Sequence, residues 1–189
     1  MSSGGPVIET ARLLLRPLQP YDVDPLHGML SDPEVMRYWS TPPHGAVEET
    51  AAWIADSRAA MARGEASDFA VLRDGRFVGR VAFWMGNEIG FLFARAVWGQ
   101  GIAREAVGAV LRHGFDRLGF QSVRADVDPR NTGSLKLLER LGFHRTGTAE
   151  RTFKIGESWV DSVYLELAKA DLAEGREHAE LSQARLPRP

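Results

Sequence analysis

Hydrophobic positions change period along the chain, and the changes mark out its elements. Arg12-Leu-Leu-Leu-Arg-Pro17 is a short apolar run stopped by proline, the pattern of a buried first strand. Asp22 to Leu30 reads as a short helix, with Asp22 as cap and Pro25 in its first turn. Ser31-Asp-Pro33 and Thr41-Pro-Pro-His-Gly45 break the chain. Val47 to Arg63 has helical spacing that turns Ala51, Ile54, Ala55 and Met61 to one side, and Gly64 ends it. The period then drops to two. Phe69 to Arg73 and Phe77 to Met85 flank Asp74-Gly75, a hairpin turn, and Gly86-Asn87 leads into a third strand, Glu88 to Phe93. A glycine-rich turn follows, then a helix from about Ile102 to Leu118, with Ala103, Val107, Val110, Leu111, Phe115 and Leu118 at helical spacing and Gly119 at its end. Ser122 to Val127 is a strand stopped by Asp128-Pro129. Asn131 caps a helix through Leu141, carrying Leu135, Leu138 and Leu141 on one side, and Gly142 closes it. Arg145 to Phe153 and Asp161 to Leu167 form two final strands, and a charged tail from Ala168 reads as a peripheral helix fraying into disorder. The order predicts a mixed α/β sheet flanked by helices, in one domain over residues 1–189 with its core at about 10–167.

Composition narrows the function classes. A length of 189 residues, 44% of them hydrophobic, suits one domain with a sizeable core. The formal net charge of -2 offers no basic field for nucleic acid. With no cysteine, disulfides, thiolate metal sites and a cysteine nucleophile are excluded. The first residues lack the basic and apolar parts of a signal peptide, and no apolar run reaches the roughly 20 residues of a spanning helix. A cytoplasmic protein without membrane or nucleic-acid partners is expected. The five histidines, His27, His44, His113, His144 and His178, show no metal-ligand spacing, so no metal is expected.

The turn Trp98-Gly-Gln-Gly-Ile-Ala103 joins a strand to a helix, which is where anions bind. The first N–H groups of a helix lack internal partners, and the helix dipole adds partial positive charge. Gly99 and Gly101 let backbone approach a ligand closely, pyrophosphate being an obvious one, and Arg95 and Arg104 can add charge at the rim. The chain has no G-x-x-x-x-G-K-[ST]. It has no G-x-G-x-x-G either, because Arg104 stands where the third glycine belongs. Taken alone, such a turn is as often structural as functional.

Three ordered stretches make it specific. Thr10-Ala-Arg-Leu-Leu-Leu-Arg-Pro17, Ile89-Gly-Phe91 followed by Trp98-Gly-Gln-Gly-Ile-Ala-Arg-Glu-Ala106, and Asn131-Thr-Gly-Ser-Leu-Lys-Leu-Leu-Glu-Arg-Leu-Gly-Phe143 together resemble the GNAT superfamily of N-acetyltransferases. The resemblance covers about Thr10 to Leu167 and is nearest to the branch with the ribosomal-protein-alanine N-acetyltransferases. One departure is Trp98, where the superfamily pattern has Gln or Arg; the backbone cradle is unaffected by it. The resemblance implies a largely antiparallel sheet splayed beside Val123 to Val127, and acetyl-CoA as donor. It implies that the backbone of Leu92 and Phe93 pairs with pantetheine. It implies that the N–H groups of Gly99, Gln100, Gly101, Ile102, Ala103 and Arg104 hold the pyrophosphate, with Asn131 and Ser134 near the thioester. It implies an amine acceptor, either a protein N-terminus or a small amine, walled by Arg37-Tyr38-Trp39, and it allows a homodimer.

Acetyl transfer to an amine needs a proton acceptor, a donor for the developing oxyanion and a proton source for the leaving thiolate. Glu88, at the start of the strand leading to the turn, is the candidate base; its bland alternative is a charged residue at a turn. Ser134, one helical turn from Asn131, is the candidate donor to sulfur, otherwise a second capping hydroxyl. Asn131 caps in any case and can also touch the cofactor. The Phe93 N–H is the expected oxyanion donor in such a fold. Asp126 and Asp128 read as turn contacts at a strand end, and Trp39, Trp53 and Trp84 as core or cleft wall. A non-catalytic acyl-CoA-binding sensor or interaction module is the competing function class.

Overall fold

The computed structural model describes residues 5–155 and 158–172. The chain opens with β1 (Ile8–Glu9) and β2 (Leu14–Pro17), followed by three helices, α1 (Val23–Leu30), α2 (Pro33–Met36) and α3 (Val47–Ala62). The meander β3 (Ser67–Arg73), β4 (Arg76–Trp84) and β5 (Glu88–Phe93) comes next. It leads through the glycine-rich turn to α4 (Ile102–Asp116), β6 (Ser122–Val127) and α5 (Thr132–Arg140). A long hairpin, β7 (His144–Ile155) and β8 (Ser158–Ala168), completes one eight-stranded sheet of order β1-β2-β3-β4-β5-β6-β8-β7. Every neighbouring pair is antiparallel except β5 and β6. This is the mixed sheet that the element order predicts, largely antiparallel as the resemblance implies.

Helices cover both faces, which explains why β3 and β4 read as nearly unbroken apolar runs. Phe69, Val71, Phe83, Ile89 and Phe93 pack with α4 and α5, whereas Ala70 and Leu92 pack with Leu26, Met29, Met36 and Ile54 of α1 to α3. Both hairpin turns are left-handed. Asp74 and Gly75 have φ of 50° and 73°, the pairing a two-residue type I′ turn requires. Met85 takes φ 47°, so β4 ends one residue earlier than expected, at Trp84. Asn87 then leaves the turn to hold β6: its Nδ2 donates to the Ser122 carbonyl (2.9 Å) and its carbonyl accepts from Arg124 N (3.0 Å).

Three expectations change. Asp22 is not a side-chain cap; it is buried and accepts both Arg16 guanidinium nitrogens at 2.7 Å and the Gln19 N–H at 2.8 Å. A bidentate charged donor outcompetes a single capping bond. In α3 the buried side is Thr50, Ile54, Ser57 and Ala60, while Ala51 and Ala55 are exposed. The polar members of that stripe are satisfied internally: Thr50 bonds both His27 (2.9 Å) and His44 (2.8 Å), and Ser57 donates to Asp68. Leu118 is exposed, because α4 stops at Asp116 and the chain turns through Gly119 at φ 75°. The expected tail helix begins as a short turn at 169–172, with Leu172 against the core; residues 173–189 lie outside the described residues. No described helix is long and apolar enough to cross a membrane.

One histidine of α4 sets an acid limit on stability. His113 packs edge-on against Phe69, with ring centroids 5.5 Å apart, and its buried Nε2 meets no hydrogen-bond partner among the described residues. Burial, aided by the Arg117 cation, pushes its pKa below the usual 6.5. The unfolded chain therefore binds this proton more readily than the native one, so stability falls as pH drops through 6.5 toward the native pKa and levels off below it. Urea unfolding of His113→Phe is expected to show a shallower loss of stability between about pH 7 and 5 than the parent. An identical slope would rule His113 out as a contributor.

Candidate active site

The sheet splits beside β5. Among the described residues β5 meets β6 at one register pair, Glu88↔Arg124, and the two strands diverge toward Phe93. The backbone direction of β5 follows from its bonds. Ala94 N donates to the Val78 carbonyl (3.0 Å), so Ala94 faces β4, and alternation along the antiparallel ladder turns Leu92 and Gly90 to β4 as well. The odd residues face the split: the Phe93 carbonyl accepts the Trp98 indole N–H at 2.8 Å, and the Asn87 carbonyl accepts Arg124 N. The Phe91 and Phe93 N–H groups thus point into the gap, whereas the Leu92 N–H turns away from it.

A cleft of about 710 Å³ fills this gap. Its floor is Phe91, Leu92 and Phe93. One end is Val97, Trp98, Gly99, Gly101, Ala103 and Arg104. One wall is Glu34, Val35, Arg37, Tyr38 and Trp39 from α2 and the residues after it. The other is Arg130 to Ser134 with Lys136, Leu137 and Arg140 on α5. The cleft therefore unites segments predicted separately from sequence: the turn, the end of β5, the Asn131–Ser134 cap and Arg37-Tyr38-Trp39.

The turn is built for close approach. Gly99 and Gly101 adopt φ of 73° and 75°, and nothing lies within 4 Å of the position a Gly99 Cβ would take. Gly101 is the N-cap of α4 and provides no side-chain cap, so the first N–H groups of the helix keep their donor capacity. At α5 the Asn131 side chain accepts from Ser134 N at 3.1 Å, as its cap role predicts. Two helix N-termini thus border one cleft. Arg104 lies in its wall, but Arg95 pairs with Asp32 at 3.0 Å instead of standing at the rim. The Ile102 side chain is fully buried in the core. The Gln100 side chain is bonded to Arg73 and the Ala96 carbonyl, so both residues have only backbone to offer a ligand.

Glu88 does not line this cleft. It stands at the closed end of the split, half-buried, next to Arg124. Burial, then the nearby Asp126 carboxylate, raise its pKa, and Arg124 opposes them. Burial raises Asp126 in turn, partly offset by a hydrogen bond from Ser162. Sequence spacing missed this pairing because β5 and β6 are separated by all of α4. It also missed Arg130, which binds the buried Asp128 carboxylate (2.6 Å) and lies 5.9 Å from the centre of the Tyr38 ring, tying the two walls together. Lys136 and Arg140 were legible in principle: with Gly133 and Leu137 they follow an i, i+3, i+4, i+7 spacing that puts them on one helix face. Among the described residues no group of three or more His, Asp or Glu side chains is arranged to hold a metal ion.

The Acetyltransferase (GNAT) domain model matches residues 12–144. The chain is 31% identical over 172 residues to "Uncharacterized N-acetyltransferase p20" of Bacillus licheniformis, covering 87% of this chain and 97% of that one. Among solved structures, Mycobacterium smegmatis RimJ in complex with CoA-disulfide superposes with a TM-score of 0.81 at 23% identity, over 96% of this chain and 94% of that one. The spermidine N-acetyltransferase from Vibrio cholerae, in complex with CoA and spermine, superposes with a TM-score of 0.77 at 20% identity, over 87% and 99%. Those two likenesses establish the fold, and the domain match and the p20 relative establish the family: the chain belongs to the GNAT acetyltransferases and is an acetyl-CoA-dependent N-acetyltransferase.

Proposed function

We propose that the protein transfers acetyl from acetyl-CoA to a primary amine by direct attack in a ternary complex. The observation that carries this reading is the split between β5 and β6, with the Phe91 and Phe93 N–H groups turned into it along one edge and two helix N-termini at its mouth. Acetyl-CoA supplies an acetyl group already activated as a thioester. The N–H groups from Gly99 to Arg104 hold its pyrophosphate, and the Phe91 and Phe93 N–H groups meet the pantetheine. The Phe93 N–H also steadies negative charge developing on the acetyl oxygen. Glu88 takes the amine proton, directly or through water, and the Ser134 hydroxyl donates to the departing sulfur. Asn131 fixes the turn that presents Ser134. Arg37, Tyr38 and Trp39 form a wall for the acceptor.

The solved relatives are named for different acceptors: spermidine for one, and ribosomal protein L7/L12 for others with TM-scores of 0.79. Either a protein N-terminus or a small amine fits the reading. Purified protein incubated with acetyl-CoA and a panel of amines and N-terminal peptides should release CoA and give an acceptor heavier by one acetyl group. A protein that binds CoA but acetylates no member of a broad panel would instead support a non-catalytic acyl-CoA-binding module.

The turn gives a separate prediction. A β-branched residue at Gly101 meets the strain of φ 75°, which forces the turn to shift and spoils the aim of its N–H groups. Gly101→Val is expected to weaken CoA binding about tenfold or more by isothermal titration, with unchanged affinity counting against the pyrophosphate assignment.

A further inference from the structure

The first turn of α4 carries a carboxylate, Glu105, in a helix whose N-terminus is assigned to an anion. Left free, that charge would oppose a diphosphate. It is not free. Glu105 Oε1 accepts the Thr10 hydroxyl at 2.6 Å and the Arg12 N–H at 2.9 Å, and Oε2 accepts Arg12 Nε at 2.6 Å. Burial alone would raise its pKa, but the bonds from Thr10 and Arg12 more than offset this and hold it below the usual carboxylate value.

The same arginine reaches the turn. Arg12 Nη1 donates to the Gln100 carbonyl at 3.0 Å, and Arg12 Nη2 lies 3.5 Å from where a Gly101 Cβ would be. Arg73 donates to the Gln100 side-chain oxygen at 2.7 Å, holding that residue from the same outer side. A trans peptide points its C=O and N–H in opposite directions. Fixing the Gln100 carbonyl outward on Arg12 therefore aims the Gly101 N–H inward, to the side where Gly101 lines the cleft.

We propose that Arg12 and Glu105 form a clamp that positions the diphosphate cradle, with Arg12 orienting the Gln100–Gly101 peptide and cancelling the Glu105 charge. Arg12 touches neither reacting atom; it is a positioning residue. The clamp rests on the reading of residues 99–104 as the cradle.

Both parts are separable by CoA titration of the full chain, with folding checked by circular dichroism. Arg12→Ala is expected to weaken CoA binding about tenfold or more, the loss of a charge-assisted bond together with the uncovering of a negative charge. The double variant R12A/E105Q is expected to bind CoA at least about threefold tighter than R12A, because the uncovered charge is gone. KM for acetyl-CoA should carry the change, with kcat at saturating donor moving by less than about threefold. Arg12→Gln, which keeps the stem and a donor, is measured alongside and read in the same way if R12A does not fold. R12A affinity within about twofold of the parent, with Gly101→Val still weak, overturns the clamp and leaves the cradle standing. If Gly101→Val also binds like the parent, the cradle assignment itself falls. A double variant no tighter than R12A overturns the charge-cancelling role.

Discussion

Glu88→Gln is expected to lower kcat by about 10²-fold or more while leaving CoA affinity within about twofold. The split between the two effects follows from position. Glu88 stands at the closed end of the β5–β6 gap and does not line the donor cleft, so if it is the proposed base, removing its charge should take away a proton acceptor without removing a donor contact. The pH profile tests the assignment more sharply. A base must be ionised to act, so kcat/KM should rise with pH as Glu88 loses its proton. Burial and Asp126 raise the Glu88 pKa, so that limb lies above the ordinary value of 4.5. Asp126→Asn removes a raising influence and should move the limb to lower pH. Arg124→Met removes a lowering influence and should move it to higher pH. Deprotonation of the acceptor amine also produces a rising limb, but that limb belongs to the acceptor and moves with neither variant. A profile unmoved by both substitutions, or a Gln variant with parental kcat, would place the base elsewhere.

The parts of this site that were legible in the sequence are local ones. Gly99 and Gly101 mark a positive-φ turn, and Asn131 marks a helix start, because backbone conformation and capping depend on residues a few positions apart. Period changes located the meander and α4 for the same reason. The family resemblance then joined these pieces into one cleft, which composition and spacing alone do not. What stayed hidden is set by partners distant in the chain. Asp22 reads as a cap, but Arg16 takes it. Leu92 and Phe93 look equivalent, yet the ladder with β4 gives their N–H groups opposite directions. The buried face of α3 carries Thr50 and Ser57 beside Ile54, so hydrophobicity placed Ile54 and Met61 correctly but turned Ala51 and Ala55 inward when they are exposed. Asp126 acquires its role only because β6 returns beside Glu88 after α4.

The same dependence on distant partners predicts the largest loss of stability. Asp68 of β3 has a fully buried side chain that accepts Arg80 Nε at 2.8 and 3.0 Å and Arg80 Nη2 at 2.8 Å. Ser57 of α3 donates to the same carboxylate, and the guanidinium lies 4.1 Å from the centre of the Trp53 ring. One ion pair thus binds α3 to two strands. Arg80→Met keeps most of the stem volume but leaves the Asp68 charge buried with a single hydroxyl donor. Breaking such a pair from one side costs about 3–5 kcal/mol, whereas replacing both members with apolar side chains is often near neutral. Urea unfolding should therefore show a loss of about 3–5 kcal/mol for Arg80→Met, and a double variant D68L/R80M should lose clearly less than the sum of its single changes. Additive losses would mean the two residues act independently. The consequence reaches the active site through register: Arg80 pairs with Leu92, and Ala82 with Gly90. β4 is the fixed side against which β5 holds its outward N–H groups. Loosening it at Arg80 should also weaken CoA binding in the fraction of Arg80→Met that remains folded, although Arg80 does not line the cleft.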